Sequence, residues 1–164
     1  MVFEALAARK IAGIERSRVD PTAEVRDYYT IHDSEIGAGC RIYERVSIKK
    51  CKIGRRVDIN AGTYIEYATI GNDVQIGPNC SIVGVSHKVS EKGAGREDAF
   101  QRINIGKGVF IGASCVIPPG LIISEGAVVG AGTTARKNIP PFHICVGVPP
   151  NQTIVSLQEW LSRD

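Results

Sequence analysis

Three histidines are the side chains of this sequence best suited to moving a proton near neutral pH, because imidazole titrates in that range. They are His32, His87 and His143, and only His87 stands where a regular pattern stops. Aliphatic residues recur every five or six positions before it, and a polar stretch of residues 88–104 follows it. A loop that leaves a regular scaffold can wall off a substrate, so His87 is the candidate catalytic base. We expect His32 and His143 to be ordinary surface residues.

The pattern before His87 has steps of six, six and five residues, so three steps sum to 17. Apolar residues recur about every 3.6 positions on one face of a helix and about every 2 positions in a half-buried strand, and neither period fits these steps. The pattern predicts short strands joined by corners, three to a triangular coil, with the coils stacked by parallel strand pairing and aliphatic side chains inside. The aliphatic residues that begin the repeats are Val19, Val25, Ile31, Ile36, Ile42, Ile48, Ile53, Ile59, Ile65, Ile70, Ile76 and Ile82.

After the interruption the repeat resumes with Ile105, Ile111, Ile117, Ile123 and Val129. We therefore expect an all-β solenoid, a parallel β-helix of about six triangular coils, in residues 19–138, with one projecting loop in residues 88–104.

Both ends of such a column need a cover, because a bare strand edge invites aggregation. We expect an N-terminal cap segment in residues 1–18 and a C-terminal strand and short helix in residues 139–164. Helical spacing supports both caps, through Phe3, Leu6, Ala7, Ile11 and Ile14 at the start and Ile154, Leu157 and Leu161 at the end.

Composition argues against several function classes. The net charge of +3 is too small to indicate a nucleic-acid partner, and no apolar run approaches the roughly 20 residues that cross a membrane. Glu4, Arg9 and Lys10 interrupt the first apolar stretch, so we expect no signal peptide. The five cysteines form no CxxC pair, and we expect Cys40, Cys80 and Cys115 to be small core residues of a reduced, cytoplasmic protein.

The repeat units "IGAGCR", "IGNDVQ", "IGPNCS", "IGASCV" and "VGAGTT" share an aliphatic residue, a glycine, two free positions and a small residue. In this the chain resembles the left-handed β-helix, or hexapeptide-repeat, acyltransferases. The segment "GVFIGASCVIPPGLIISEGAVVGAGTTARKNIPPFHICVGVPP" is similar to the C-terminal part of the sugar O-acetyltransferase branch, which includes galactoside and maltose acetyltransferases. The resemblance implies a left-handed coil and transfer of an acetyl group from acetyl-CoA to a hydroxyl of a sugar or glycan precursor.

The resemblance also assigns roles to two residues on the acceptor side. In that branch a loop starts directly after a histidine that is the general base, and "IGNDVQIGPNCSIVGVSH" ends at His87 in the same phase. An asparagine about one and a half coils earlier binds the acceptor hydroxyl, and Asn60 occupies the comparable place. Asn60 is as readily explained as a corner residue, because the intervening segment is shorter here.

The coenzyme side follows from the same resemblance, which implies a homotrimer with acetyl-CoA in a groove between neighbouring subunits. The resemblance gives Ala113 and Ala131 the backbone contacts to the pantetheine arm, and Phe110 stands where the family usually has Trp. Arg136 and Lys137 match the stretch that reaches the coenzyme phosphates. The end "GVPPNQ" lacks the basic residue expected after its proline. Arg136 and Lys137 would therefore have to supply more of the contacts to the coenzyme phosphates.

Other functions remain open at this stage. An N-acetyltransferase acting on a nucleotide-linked amino sugar would share the fold and the donor, and the acceptor-reading loop does not separate the two activities. A non-catalytic scaffold is a weaker alternative. A γ-carbonic anhydrase-like zinc site is weaker still, because His32, His87 and His143 offer no close pair of ligands, and we expect no metal.

Overall fold

The computed structural model describes residues 13–163. They form a column of short parallel strands that pair at the spacing predicted from the sequence. Ile48, Ile65 and Ile82 pair with one another on successive turns, each 17 residues from the next. The predicted fold class, an all-β parallel solenoid, is therefore confirmed. Residues 1–12, which contain most of the predicted N-terminal cap segment, lie outside the described residues.

Three parallel sheets form the faces of the column, and we number their strands along the chain. The first face contains β1 (Gly13–Glu15), β4 (Thr30–His32), β7 (Ser47–Lys49), β10 (Tyr64–Glu66), β13 (Ser81–Val83) and β18 (Val116–Ile117). The second face contains β2 (Arg18–Val19), β5 (Glu35–Ile36), β8 (Lys52–Ile53), β11 (Ala68–Ile70), β16 (Ile103–Ile105) and β19 (Ile122–Ile123). The third face contains β3 (Glu24–Val25), β6 (Arg41–Ile42), β9 (Asp58–Ile59), β12 (Gln75–Ile76), β17 (Phe110–Ile111), β20 (Val128–Val129), β21 (His143–Val146) and the antiparallel β22 (Thr153–Ser156).

The column has one more turn than the sequence predicts. Parallel pairing already starts at Gly13, where the sequence pattern placed the cap segment. At the other end, single bridges at Thr134 and Ile139 extend the first and second faces beyond their last strands. Each face thus carries seven parallel layers within residues 13–163, against about six expected.

The interior consists of the aliphatic ladders that the repeat predicts. Ile31, Ile48 and Ile65 on the first face have no exposed surface, and the isoleucines at the starts of repeats on the other two faces are also buried. Burial of this apolar surface is what stabilises a solenoid, because no single turn can bury its own side chains. Cys40, Cys80 and Cys115 are buried in the same core, as predicted, and burial raises the pKa of the Cys51 thiol to about 11.

Residues with a left-handed backbone turn the chain at many corners. Asp33, Asp73 and Asn79 have positive φ values of 50, 60 and 57°, as their short polar side chains favour. Larger residues occupy the same conformation, including Tyr28 at 61° and Tyr67 at 56°. The geometry of the repeat therefore imposes the left-handed backbone at a corner even where the residue type does not favour that conformation.

The interruption after His87 is an antiparallel hairpin. Its strands are β14 (Val85–Ser90) and β15 (Gly93–Phe100), and they pair with each other and with no strand of the column. The sequence predicts a loop without regular structure in residues 88–104, starting after His87. Instead the hairpin includes His87, and the column resumes at Ile103, where β16 pairs with β11.

The C-terminal cap has the strand and the short helix that the sequence predicts, but two of its residues are placed differently. Ile154 lies in strand β22, not in a helix, and the only helical turn there is α1 (Leu157–Leu161). Leu161 is 73% exposed, so it does not pack on the column as its spacing suggests. No helix among residues 13–163 has the length and hydropathy to cross a membrane.

Candidate functional site

His87 lies in β14, directly opposite Asp98 of β15. The His87 Nδ1 atom is 3.6 Å from the Asp98 Oδ1 atom, and the two side chains are 58% and 51% exposed. A carboxylate beside Nδ1 favours the tautomer that carries its proton there, and the other ring nitrogen is then a proton acceptor. The pair is thus able to act as an oriented base that solvent and substrate can reach.

The hairpin leaves the column at Gly84, and the position requires glycine. A Cβ atom there would lie 2.5 Å from the Tyr67 carbonyl oxygen of the preceding turn. Farther out, the Lys88 Nζ atom is 2.6 Å from Glu97 Oε2, and Gly93, with φ of 101°, begins the returning strand. A register shift between His87 and Val89 interrupts the pairing just beyond the His87–Asp98 pair, and the strands then pair again as far as Ser90 and Gly93.

The hairpin projects from what we call the hairpin edge, the line of corners between the first and second faces. The opposite border of the first face, where the third face turns into the first, carries small residues on successive turns. We call this border the small-residue edge, and it includes residues 60–62, 77–79, 112–114 and 130–132.

Asn60 lies on the small-residue edge, away from the hairpin edge. Its side-chain Nδ2 atom donates a hydrogen bond of 3.0 Å to the carbonyl oxygen of Ile76, and its backbone N–H donates to the same oxygen. Its side-chain amide therefore stabilises the corner of the column, which is the role expected if Asn60 is a corner residue. Within one chain it does not meet His87.

Ala113 and Ala131 lie on the small-residue edge, on neighbouring turns. The corners there are stacked so closely that a Cβ atom at Gly77 would lie 2.6 Å from the Ala113 nitrogen, and one at Gly112 would lie 2.6 Å from the Ala131 nitrogen. Neither alanine N–H donates to a backbone acceptor within residues 13–163. Two unused donors on an edge without bulky side chains suit an extended polar chain or a developing oxyanion.

Phe110 stands beside this edge, on the outside of the third face, and is 46% exposed. It pairs in register with Gln75 on one side and Val128 on the other. Its ring is therefore available to cover an apolar part of a ligand that follows the small-residue edge.

Arg136 and Lys137 line a cavity of about 370 Å³ at the C-terminal end of the column. Pro149, Pro150, Gln152 and Ile154 form the rest of its lining. Gln152 fixes this arrangement, because its Nε2 atom donates a 2.7 Å hydrogen bond to the Thr134 carbonyl oxygen. Two exposed cations beside a preformed cavity suit an anionic group such as a phosphate.

The predicted residues thus fall into two groups on two borders of the first face. His87 is on the hairpin edge, and so are Arg136 and Lys137, which lie between the Thr134 and Ile139 bridges at its C-terminal end. Asn60, Ala113 and Ala131 are on the small-residue edge. Sequence reasoning identified the polar residues of the loop but not the pairing of Asp98 with His87, and it did not identify Gln152. Alternate residues of a hairpin strand lie on the same side, which could have pointed to Asp98 as the partner of His87. That inference requires the register of the two strands, which the sequence does not give.

His143 and His32 take no part in either group. The Nδ1 atom of His143 is 2.8 Å from the Pro141 carbonyl oxygen, and His32 lies on the first face. No cluster of three or more histidine, cysteine or acidic side chains that could hold a metal ion occurs among residues 13–163.

Known proteins similar to this chain share both its repeat and its fold. Residues 102–134 match the hexapeptide repeat of succinyl-transferase. A galactoside O-acetyltransferase of Escherichia coli strain K12 is 38% identical over 82 residues, which are 49% of this chain and 40% of that protein. The chain thus spans less than half the length of that curated relative.

Two solved structures are similar over most of the chain. A mutant of AntD, an N-acyltransferase from Bacillus cereus in complex with dTDP and coenzyme A, has a TM-score of 0.68 and 18% identity, and the match covers 99% of this chain and 92% of that one. A maltose O-acetyltransferase from Clostridium difficile 630 has a TM-score of 0.58 and 21% identity, with coverage of 70% and 67%. The resemblance to hexapeptide-repeat acyltransferases that the sequence predicts is confirmed.

Proposed function

We propose that this chain transfers an acetyl group from acetyl-CoA to a hydroxyl of a sugar or glycan precursor, with His87 as the general base. The observation that carries the proposal is the His87–Asp98 pair at 3.6 Å, on a hairpin that interrupts an otherwise regular column. The galactoside and maltose O-acetyltransferases among the similar proteins support the acceptor class.

The chemistry follows from the orientation of the imidazole. Acetyl-CoA supplies the acetyl group as a thioester. With its Nδ1 proton facing Asp98, His87 accepts the hydroxyl proton on Nε2 as the oxygen forms its bond to the thioester carbon. His87 then returns that proton to the sulfur as the carbon–sulfur bond breaks. A base in this position typically accelerates transfer about 10²–10⁴-fold.

The small-residue edge supplies the donor side of the site. The unused N–H of Ala113 donates to the oxygen that becomes negative during attack, and the N–H of Ala131 holds the pantetheine arm farther along. Phe110 covers the arm from the third face. Arg136 and Lys137 bind the coenzyme phosphates at the C-terminal cavity.

A homotrimer completes the site, because one chain holds the base on a different edge from the N–H groups of Ala113 and Ala131. The hairpin edge of one subunit faces the small-residue edge of the next, and this head-to-tail contact closes into a ring of three. The outside of the first face, which lies between these edges, supports the arrangement. The first position of its strands forms one uncharged row, namely Gly13, Thr30, Ser47, Tyr64, Ser81 and Val116, beside a second outward row that includes Glu15, Lys49 and Glu66. The corresponding rows of the other two faces carry charges, such as Arg18, Lys52 and Arg41.

Transfer to an amine of a nucleotide-linked sugar is the second candidate. The similarity over almost the whole chain to an N-acyltransferase that holds dTDP and coenzyme A favours it. An amine acceptor would use the same donor groups.

The test is release of free coenzyme A from acetyl-CoA, detected with a thiol reagent. The acceptor panel contains a galactoside, maltose, and dTDP- and UDP-linked amino sugars. All five cysteines of the chain are buried, so the protein itself gives little background. We expect a sugar hydroxyl to be the acceptor and His87→Ala to lower kcat at least about 100-fold.

His143→Ala is the matched control, because it removes an imidazole that lies outside the hairpin. It should leave kcat unchanged. Equal rates for His87→Ala and the wild type would remove His87 from its role, and acetylation of the amino sugars alone would replace the first candidate with the second.

A further inference from the structure

Two aromatic and two cationic side chains meet beneath the hairpin, where it joins the column. The rings of Tyr67 and Phe100 are 5.2 Å apart at an interplanar angle of 67°, an edge-to-face contact. The Arg102 guanidinium lies 4.1 Å from the centre of the Tyr67 ring, and the Lys50 Nζ atom lies 4.6 Å from the centre of the Phe100 ring. We call these four residues the hairpin clamp.

The clamp connects the hairpin to the turns below it. Tyr67 and Lys50 belong to corners of the column, whereas Phe100 ends strand β15 and Arg102 comes two residues later. Arg102 also donates hydrogen bonds through its Nη1 atom to the Ala68 carbonyl oxygen at 3.2 Å, and to the Lys50 carbonyl oxygen at 3.5 Å. The returning arm of the hairpin is therefore tied to two successive turns of the column.

The hairpin needs such an anchor. A two-stranded hairpin alone is at best marginally stable in water, and here neither strand pairs with the column. Most of its residues are exposed, so little buried apolar surface holds it. Aromatic pairs and cation–π contacts stabilise a protein beyond the apolar area that they bury, so the clamp combines several contacts that can hold the hairpin.

The clamp acts on the same side of the hairpin as the proposed base. Phe100 lies opposite Val85, and Asp98 lies opposite His87. Residues two apart on a strand point to the same side, so the Phe100 side chain and the His87–Asp98 pair share a side. The direction in which that side faces depends on where Phe100 sits.

From this geometry we propose that the hairpin clamp positions His87, with Tyr67 as its central residue. Tyr67, Phe100 and Arg102 do not touch the reacting atoms. They hold the hairpin at one angle to the column, so that the imidazole meets the donor edge of the next subunit. The inference rests on the proposed function of His87, and it goes beyond it by assigning residues outside the site to the reaction.

The test compares Tyr67→Ala with Tyr67→Phe and with the matched control Tyr28→Ala. Tyr28 has almost the same left-handed backbone, φ of 61° against 56°, but it lies far from the hairpin in the chain and has no contact with Phe100. The first readout is amide hydrogen exchange of residues 85–100 in the whole protein, which needs no substrate. We expect at least about tenfold faster exchange in Tyr67→Ala, and wild-type exchange in the other two variants.

The second readout is the coenzyme A release assay, with whichever acceptor of the panel the wild type uses best. In Tyr67→Ala we expect kcat to fall about tenfold or more while the KM for acetyl-CoA stays within about twofold, because the donor edge is intact. Tyr67→Phe should restore the rate, since the ring and not the hydroxyl makes the contacts.

The outcomes distinguish the clamp from the proposed function. Unchanged exchange in Tyr67→Ala, or a loss of kcat no greater than that of Tyr28→Ala, would overturn the inference even if His87→Ala is inactive. Faster hairpin exchange together with an active His87→Ala would instead overturn the role of His87, and with it the claim that the clamp serves catalysis.

Discussion

The column before the hairpin, residues 13–76, and the column after it, residues 103–146, differ on the outside. Before the hairpin, charged residues 17 positions apart form ion pairs between turns, including Arg16–Asp33, Arg41–Asp58 and Arg56–Asp73. The hydrogen bonds from Arg16 and Arg56 lower the pKa of Asp33 and Asp73. After the hairpin no ion pair occurs within residues 103–146, and Phe110, Val116 and Ile122 are 46%, 42% and 46% exposed.

The inside does not change in the same way. Ile59, Ile76 and Ile111 form one continuous ladder across the hairpin, and each has no exposed surface. In a solenoid the interior ladder sets the stability, so the outside is free to differ from turn to turn. The first part therefore pairs charges between its turns, whereas the second part exposes large apolar side chains on successive strands without such ion pairs.

The largest expected effect concerns the interior, where the two parts should respond alike. Ile59→Ala and Ile111→Ala each remove a fully buried side chain of the same ladder, on opposite sides of the hairpin. We expect each to lower the free energy of unfolding by about 2–5 kcal/mol, measured by urea unfolding at one fixed protein concentration. A much smaller loss for Ile111→Ala would mean that something other than the ladder holds the second part.

An intermediate effect concerns the outside of the second part. Val116 and Ile122 lie on the same turn with similar exposure, but Val116 is on the first face and Ile122 is on the second. If copies associate through the first face, Val116→Lys should weaken the trimer at least about tenfold, or about 1.4 kcal/mol, in sedimentation experiments. Ile122→Lys is the matched control and should leave association unchanged, and the reverse result would assign association to the second face.

The smallest expected effect is that of a substitution at Thr133, which is compared with Thr63 at the equivalent place in the same buried column of side chains. Thr63 donates a 2.9 Å hydrogen bond to the Gly77 carbonyl oxygen and accepts one from the Cys80 N–H, whereas the buried Thr133 hydroxyl has no partner among residues 13–163. Thr63→Val should lower the free energy of unfolding by about 1–3 kcal/mol, because it leaves buried groups unpaired. Thr133→Val should be neutral or stabilising in the same measurement, and an equal loss in both would show that the Thr133 hydroxyl is bonded in solution.

The fold was predictable from the sequence because the repeat has a constant spacing. Each aliphatic residue meets its partner 17 positions away, so the position of Ile48 in the chain already indicates that it stacks on Ile65. The C-terminal cap was less predictable, since Ile154 has helical spacing from Leu157 but pairs with Cys145 in a strand. Cross-strand pairing outweighed a spacing that covers only a few residues.

The candidate site was predictable in part. The interruption located His87, and the resemblance supplied the small residues of the opposite edge. The partner of His87 was not predictable, because the position of Asp98 depends on the hairpin register and on a turn that no repeat governs. The contact of Arg102 with Tyr67 was not predictable for the same reason, because these residues are 35 positions apart and no periodic rule connects them.

The sequence by itself therefore determined the column, its three faces and the point where it is interrupted, because side chains that repeat every 17 residues can be buried only by stacking. Only the tertiary structure decided what the interruption becomes: a hairpin that pairs His87 with Asp98 and rests on Tyr67. Those contacts join residues that no repeat relates, so they depend on how the chain leaves the column and returns to it.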